Sequence, residues 1–504
     1  MLVVLFMVLI NNDTVQTELV FSNKDFNVPL NHRARFFVDF MEEFMDEYGL
    51  TDGENKVGRS PYSPRSMLKL IIYAKTNHVT SSEVIADYAL YHDVYKYVCD
   101  YITPSARSIR RFKRDFKSIY NDILKKTLKK AEEEDLTSFN HIPVDGTIKK
   151  AYNNLHNIIT EKETDLLLEY YNGEEIEEKK LEKLHRSVKK FMENEKLCEN
   201  EKISLLKRIK KEFTKTEQDK IPLNDIESRK MKGKRGNFKY AYNMQSAVDS
   251  ETGLICAITI SQSPTDHYEL PSIVTKAINN IGKKPEYVSA DTIYLQNPNV
   301  SFLIEQKING LIPNRTQSKK DTKRLNKNPY HKDHFEYNTD TDSFKCPQNQ
   351  KLTFYKEYTI ESEDKTKPDK IKRLYNNYNA CKNCKQKNKC ITGKQTHRTI
   401  TENGDRLIRA MYVKMEKEEY QKEYEKRSTV ERPFGTLKIQ YNMEDEVVIG
   451  TEDTECYMTL NAVAYNINRL YNLLYDKKLK EEQTPNYNNN LMELNQNQLE
   501  MMTS

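Results

Sequence analysis

The sequence carries no strong excess of either charge: 80 lysines and arginines stand against 75 aspartates and glutamates, a net of +5. No overall field therefore dictates a nucleic-acid partner, and local clusters must supply one. A membrane-crossing segment is also lacking. The near-continuous apolar run from Leu2 to Ile10 falls far short of the roughly twenty residues a spanning helix needs. It has neither the basic flank nor the small-residue cleavage site of an export signal, so it reads as a buried strand or as the product of a misplaced start codon. A cytoplasmic location and no membrane partner are expected. Proline and glycine are scarce from about Leu155 to Phe213, where Glu, Lys and Leu dominate, and this predicts a helical insertion. After Tyr475 large apolar residues give way to Asn and Gln, which predicts a mobile tail. The 504 residues suffice for two or three domains with proper cores.

The most informative run lies near the C-terminus. Tyr424, Arg427, Glu431 and Lys438 follow the spacing Y-x2-R-x3-E-x6-K. On one α-helix the first three share a face, and Lys438 lies two turns beyond Glu431 if the helix survives Pro433. A carboxylate then sits among phosphate-seeking groups, although a surface helix with routine charge pairs shows the same pattern. Two aspartates upstream each follow a predicted strand: His141 to Val144 runs into Asp145, and Tyr287 to Ala290 runs into Asp291. A side chain at such a strand end projects into the crevice above an α/β sheet. Aspartates there are also common turn formers. Should the three distant segments converge, Asp145, Asp291 and Glu431 offer hard oxygen ligands suited to Mg²⁺ or Mn²⁺.

These stretches resemble the DDE transposases of bacterial insertion sequences, in the branch that carries the Y-R-E-K signature. The resemblance rests on VDGT at Asp145, YNMQSAVDSETGLI from Tyr242, SADTIY around Asp291 and RSTVERPFGTLK around Glu431. It extends from Pro29–Phe44 to Leu460–Leu474 and so covers most of the chain. It implies an α/β, ribonuclease H-like catalytic core with a helical N-terminal DNA-binding domain and two insertions, one helical and one a candidate zinc binder. It also carries the metal-binding triad onto Asp145, Asp291 and Glu431. The expected domains are residues 1–135, residues 136–475 with insertions at about 155–215 and 315–400, and a tail from 476 to 504.

Local patterning agrees with this layout. From Arg107 to Lys130 there are ten basic residues against two acidic ones, and Arg229 to Lys239 adds six basics without an acid. Thr80 and Glu83 predict a capping box for one helix, and Ser105 caps another with apolar residues at Ile109, Phe112, Phe116, Ile119 and Ile123. Arg107, Arg110, Arg111, Lys113, Arg114 and Lys117 fall mostly on the other faces, an arrangement like a helix-turn-helix. Arg107, Arg110, Arg111 and Arg114 are the candidate DNA contacts, and a solvated helix face is the plain alternative. Tyr240–Val248 and Leu254–Ile260 read as a hairpin in which Asp249 has a turn role. A helix from His267 to Asn280 and a strand from Ile308 to Ile312 complete the expected core. Cys346, Cys381, Cys384 and Cys390 could close a structural Zn²⁺ site, with reduced free thiols as the alternative.

The expected chemistry is metal-dependent cleavage of DNA at the element ends, followed by attack of the freed 3′-hydroxyl on target DNA. Arg427 and Lys438 would contact phosphate, and Tyr424 would donate to phosphate or stack on a base. The expected partners are the terminal inverted repeats and target DNA, handled by a dimer or larger assembly. Two alternatives stand beside this reading: a nuclease of the same fold that only hydrolyses, and a DNA-binding relative that has lost catalysis.

Overall fold

A computed structural model describes residues 28–29, 31–52, 62–216, 218–233, 236–314, 328–362, 369–391, 395–404, 406–444 and 447–482. The apolar run at Leu2–Ile10 and the tail beyond residue 482 lie outside the described residues. The chain divides into two units, residues 1–73 with 81–110 and residues 74–80 with 111–504.

The first unit is helical. Helix Arg33–Tyr48 buries Phe37, Phe40, Met41, Phe44 and Met45, and it stops at Gly49, whose φ of 73° suits a residue without Cβ. Lys69 is 2% exposed and is tolerated there because Glu42 and Asp100 both neutralise it. The cap expected at Thr80 belongs to Ser81, whose side chain accepts from Val84 N–H, and the following helix Ser82–Tyr91 ends where His92 turns extended. A separate helix, Asp93–Val98, follows. Ser105 does cap helix Ala106–Asp115, accepting from Ser108 N–H at 3.2 Å. The apolar spacing beyond it does not form one helix: a 3₁₀ turn at Lys117–Ile119 separates it from helix Tyr120–Glu133, and both the turn and that helix belong to the second unit.

The second unit is built on a six-stranded sheet. In chain order the strands of this unit begin with β1 His141–Lys150, β2 Ile158–Thr160, β3 Lys220–Pro222, β4 Arg229–Lys232, β5 Phe238–Val248, β6 Ile255–Ser261, β7 Tyr287–Ser289 and β8 Asn309–Leu311. β5 lies antiparallel to β1 on one edge and to both β4 and β6 on the other, while β7 and β8 run parallel to β1. β1 outlasts its expected end: pairing with β7 stops at Pro143, but the strand continues against β5 to Lys150. Asp249 takes the turn role expected of it, accepting from Thr252 N–H at 2.8 Å.

Two subsidiary cores flank this sheet. Helices Glu161–Tyr171, Arg186–Met192 and Glu199–Lys215 bury Ile159, Leu167, Val188, Leu206, Ile209 and Ile221 together, which is the helical segment expected after residue 155. Arg229, counted above as surface charge, is 5% exposed and paired with Glu212 of that segment. Downstream, β9 Glu336–Asn338, β10 Ser343–Lys345, β11 Lys351–Ile360, β12 Lys370–Asn376 and β13 Thr399–Asn403 form an antiparallel sheet over Phe335, Phe344, Leu352, Tyr375 and Ile400.

An exposed strand edge invites wrong pairing, and β6 is covered instead. Asn466, on the long helix Thr451–Glu482, accepts from Ile255 N–H at 2.9 Å and donates to Ile255 C=O at 2.9 Å and Thr127 Oγ1 at 3.0 Å. Glu455 accepts from Ile260 N–H, Lys276 donates to Ile258 C=O and Asn280 donates to Cys256 C=O. Replacing Asn466 by Leu strands two buried backbone groups at about 1–3 kcal/mol each, so the urea midpoint should fall clearly. An unchanged midpoint would show that Asn466 does not hold this edge.

Candidate active site

The parallel pairing of β1 and β7 ends at Pro143 with Ser289; Asp145 and Asp291 each lie two residues beyond it, near enough for the charge of Asp291 to act on Asp145. Both are half-buried. Asp145 accepts from Gly146 N–H at 3.0 Å, and Asp291 accepts from Ile293 N–H at 2.8 Å as the cap of the 3₁₀ turn Thr292–Tyr294. Burial pushes the Asp145 carboxyl above the usual range; Arg427 opposes this, while Asp291 and Asp266 add to it. Arg427 stands 3.3 Å from Asp145 Oδ1, and its Nε is buried without a hydrogen-bond partner among the described residues. Burial likewise raises the Tyr424 hydroxyl, with Arg427 opposing and the two aspartates adding to the rise.

The signature run is not one α-helix. Helix Glu418–Glu425 passes into a 3₁₀ segment, Lys426–Val430, and then into helix Glu431–Ile439. Pro433 explains the break: it lacks an N–H and fits only the first turn of a helix, so the chain restarts just before it. Five residues at about 120° each instead of about 100° turn everything downstream roughly 100° further about the axis. Tyr424 and Arg427 consequently face the aspartates, whereas Glu431 is exposed and makes no hydrogen bond or ion pair among the described residues. The shared face expected for Tyr424, Arg427 and Glu431 is thus corrected. Lys438 lies over the Phe434 ring at 6.0 Å.

Another acid belongs here that was not among the candidates read from sequence. Asp266 approaches β1 from the Gly146 side, its Oδ1 accepting from Asn243 Nδ2 at 2.8 Å and from Gln245 Nε2 at 2.7 Å. Gln245 also accepts from the Tyr294 hydroxyl. A carboxylate held by two amides of one β-strand leaves no periodic trace, so only the tertiary structure shows it. Among the described residues no group of three or more His, Cys, Asp and Glu side chains is arranged to hold a metal ion.

The other expected residues are placed as follows. Arg107, Arg110, Arg111 and Arg114 are exposed, with Arg110 paired to Glu83 and both Arg111 and Arg114 near Asp115. Lys113 and Lys117 are not part of that face: Lys113 is buried and donates to Thr80 C=O, and Lys117 pairs with Glu452 and Asp453. Cys346, Cys381, Cys384 and Cys390 line one small pocket beside the core of the β9–β13 sheet. Gln350 N–H donates to Cys346 Sγ at 3.4 Å, and burial raises the Cys390 thiol, with Arg398 opposing and the other three cysteines adding to the rise. No described helix is long and apolar enough to cross a membrane.

Residues 345–471 match the family described as Transposase DDE domain, and residues 22–115 match the family described as Transposase domain (DUF772). The first match contains Tyr424, Arg427, Glu431, Lys438 and the four clustered cysteines; the second contains the four exposed arginines. Asp145 and Asp291 lie outside both. Two separate regions of transposase type in one chain support a DNA transposase. No curated protein matches the chain. Among solved structures, a cryo-EM structure of the piggyBac transposase synaptic complex with hairpin DNA aligns over 92% of this chain and 83% of that one, at 9% identity and a TM-score of 0.29.

Gly146 separates Asp145 from this amide network. A Cβ there would lie 2.6 Å from both Asp266 Oδ1 and Gln245 Nε2. Gly146→Ala should therefore cost about 1–3 kcal/mol through overpacking, read as a lower melting temperature. An unshifted transition would show that the network yields freely.

Proposed function

We propose that this chain is a DNA transposase of DDE type, with a ribonuclease H-like core that cleaves element ends and joins them to target DNA. The observation that carries the reading is the pair Asp145 on β1 and Asp291 just past the end of β7, each two residues beyond the last paired residues Pro143 and Ser289, with Arg427 against Asp145. Support comes from the strand order β6-β5-β1-β7-β8, in which only β5 runs opposite to the rest of the sheet path through β1, β7 and β8. Mg²⁺ is held through one or two carboxylates with waters and substrate phosphate, so Asp145 and Asp291 fit such an ion without a third acid in place. Mn²⁺ suits the same oxygen donors. Bound there, the ion supplies charge neutralisation at the scissile phosphate.

Arg427 has a planar fork and an unused Nε donor, which suit a phosphate oxygen once it leaves Asp145. Tyr424 offers a hydroxyl at the same place, and Lys438 a point charge further along the following helix. Glu431 joins the aspartates when Lys426–Val430 rewinds to α pitch and reverses the rotation of about 100°. Arg107, Arg110, Arg111 and Arg114 form the DNA-reading face of a domain ending near residue 135. The four cysteines share one pocket within the insertion at about 315–400, and they would hold a structural Zn²⁺ through their thiolates only on closing around it, since as they stand they are not arranged as a metal site. The terminal repeats and target DNA are the partners, taken up by a dimer or larger assembly in the cytoplasm.

The test is cleavage and joining of DNA carrying the gene's own flanking sequences, with Mg²⁺. Wild type should cut and join, while Asp291→Asn should bind DNA and do neither; cleavage by that variant would sink the assignment. Hydrolysis without joining would leave a nuclease. Elemental analysis should find one zinc per chain, lost in Cys381→Ser/Cys384→Ser, and a wild type free of zinc would refute that site.

A further inference from the structure

A second polar chain lies beside the site, buried at His141 and Ser289 and partly exposed at Glu423. Glu423 Oε1 lies 2.7 Å from His141 Nδ1, and His141 Nε2 lies 2.8 Å from Ser289 Oγ. His141 is 2% exposed and Ser289 0%. Burial pushes the Glu423 carboxyl up, but Lys426 and His141 outweigh it and hold it below the usual range, so it accepts. Burial draws His141 down, with Glu423 opposing and Lys426 contributing, so the ring is neutral. Nδ1–H therefore donates to Glu423, and the Nε2 lone pair accepts the Ser289 hydroxyl.

The order of atoms is that of a hydrolase relay, yet a serine with no exposed surface attacks no substrate. Its position suggests another use. His141 lies four residues before Asp145 on β1, Ser289 two before Asp291, and Glu423 one helical turn before Arg427. Four strand residues span about 13 Å and four helical residues about 6 Å, a difference the long arginine side chain covers.

We propose that Ser289, His141 and Glu423 are positioning residues that clamp helix Glu418–Glu425 to the strands leading to Asp145 and Asp291, and thereby set Arg427 against Asp145. The clamp rests on the DDE reading of this site. It fixes the helix that ends two residues before Arg427, the second residue of the 3₁₀ segment, and leaves the residues beyond Arg427 free to rewind.

The test is a double-mutant cycle on Mg²⁺-dependent cleavage, with DNA binding and melting temperature measured alongside. Glu423→Ala should lower cleavage about 10–100-fold, the usual effect of losing a supporting partner, with DNA affinity unchanged. Glu423→Gln keeps an acceptor for His141 and should restore most of the rate. In an Arg427→Ala background Glu423→Ala should add nothing, since both act through one group. Full additivity, or a Gln variant no better than Ala, would overturn the clamp while leaving the DDE reading intact. A wild type that cleaves nothing would remove both.

Discussion

Everything at the centre of this protein depends on where β1 and β7 part company. Their pairing ends at Pro143 and Ser289, and two residues further each chain presents a half-buried aspartate. Burial raises the proton affinity of Asp145, and the neighbouring Asp291 and Asp266 add to the rise. Such a pair needs compensating positive charge, and Arg427 provides it from the segment that crosses the same face. An ion with hydrated oxygens would compensate equally well, so the arginine and a divalent cation are alternatives for one place.

The covering segment combines rigid and adjustable parts. Glu423 is tied down through His141, whereas Lys426–Val430 is wound as a 3₁₀ helix, a form whose hydrogen bonds are poorer and whose longer runs are uncommon. Pro433 locates the change of pitch. Arg427 thus follows the tied helix by two residues as part of the 3₁₀ segment, and Glu431 comes directly after that segment. The amide network of Asn243, Gln245 and Asp266 closes the opposite side of β1, where Gly146 alone leaves room for it.

Much of this arrangement was legible in the residues. Two runs joined through a turn gave the strands on either side of Asp249, and Asp145, Asp291, Tyr424 and Arg427 were singled out by type and position. The four cysteines were grouped from spacing alone and do line one pocket. Three things were hidden for physical reasons. Helical periodicity assumes a constant pitch, so the rotation of Glu431 could not be seen. Charge counting cannot tell a surface cation from one enclosed by partners, as Arg229 and Lys113 are. Asp266 owes its place to contacts with side chains of another strand, which no local pattern encodes.

The central claim is that Asp145 and Asp291 form one anionic pocket for which Arg427 competes. Titrating Mn²⁺ into the protein without DNA tests it most directly, by calorimetry or electron paramagnetic resonance. Tighter binding by Arg427→Ala than by wild type, and loss of binding when both aspartates become asparagine, is the predicted result. Equal affinity in wild type and the arginine variant, or binding indifferent to the aspartates, would contradict the account.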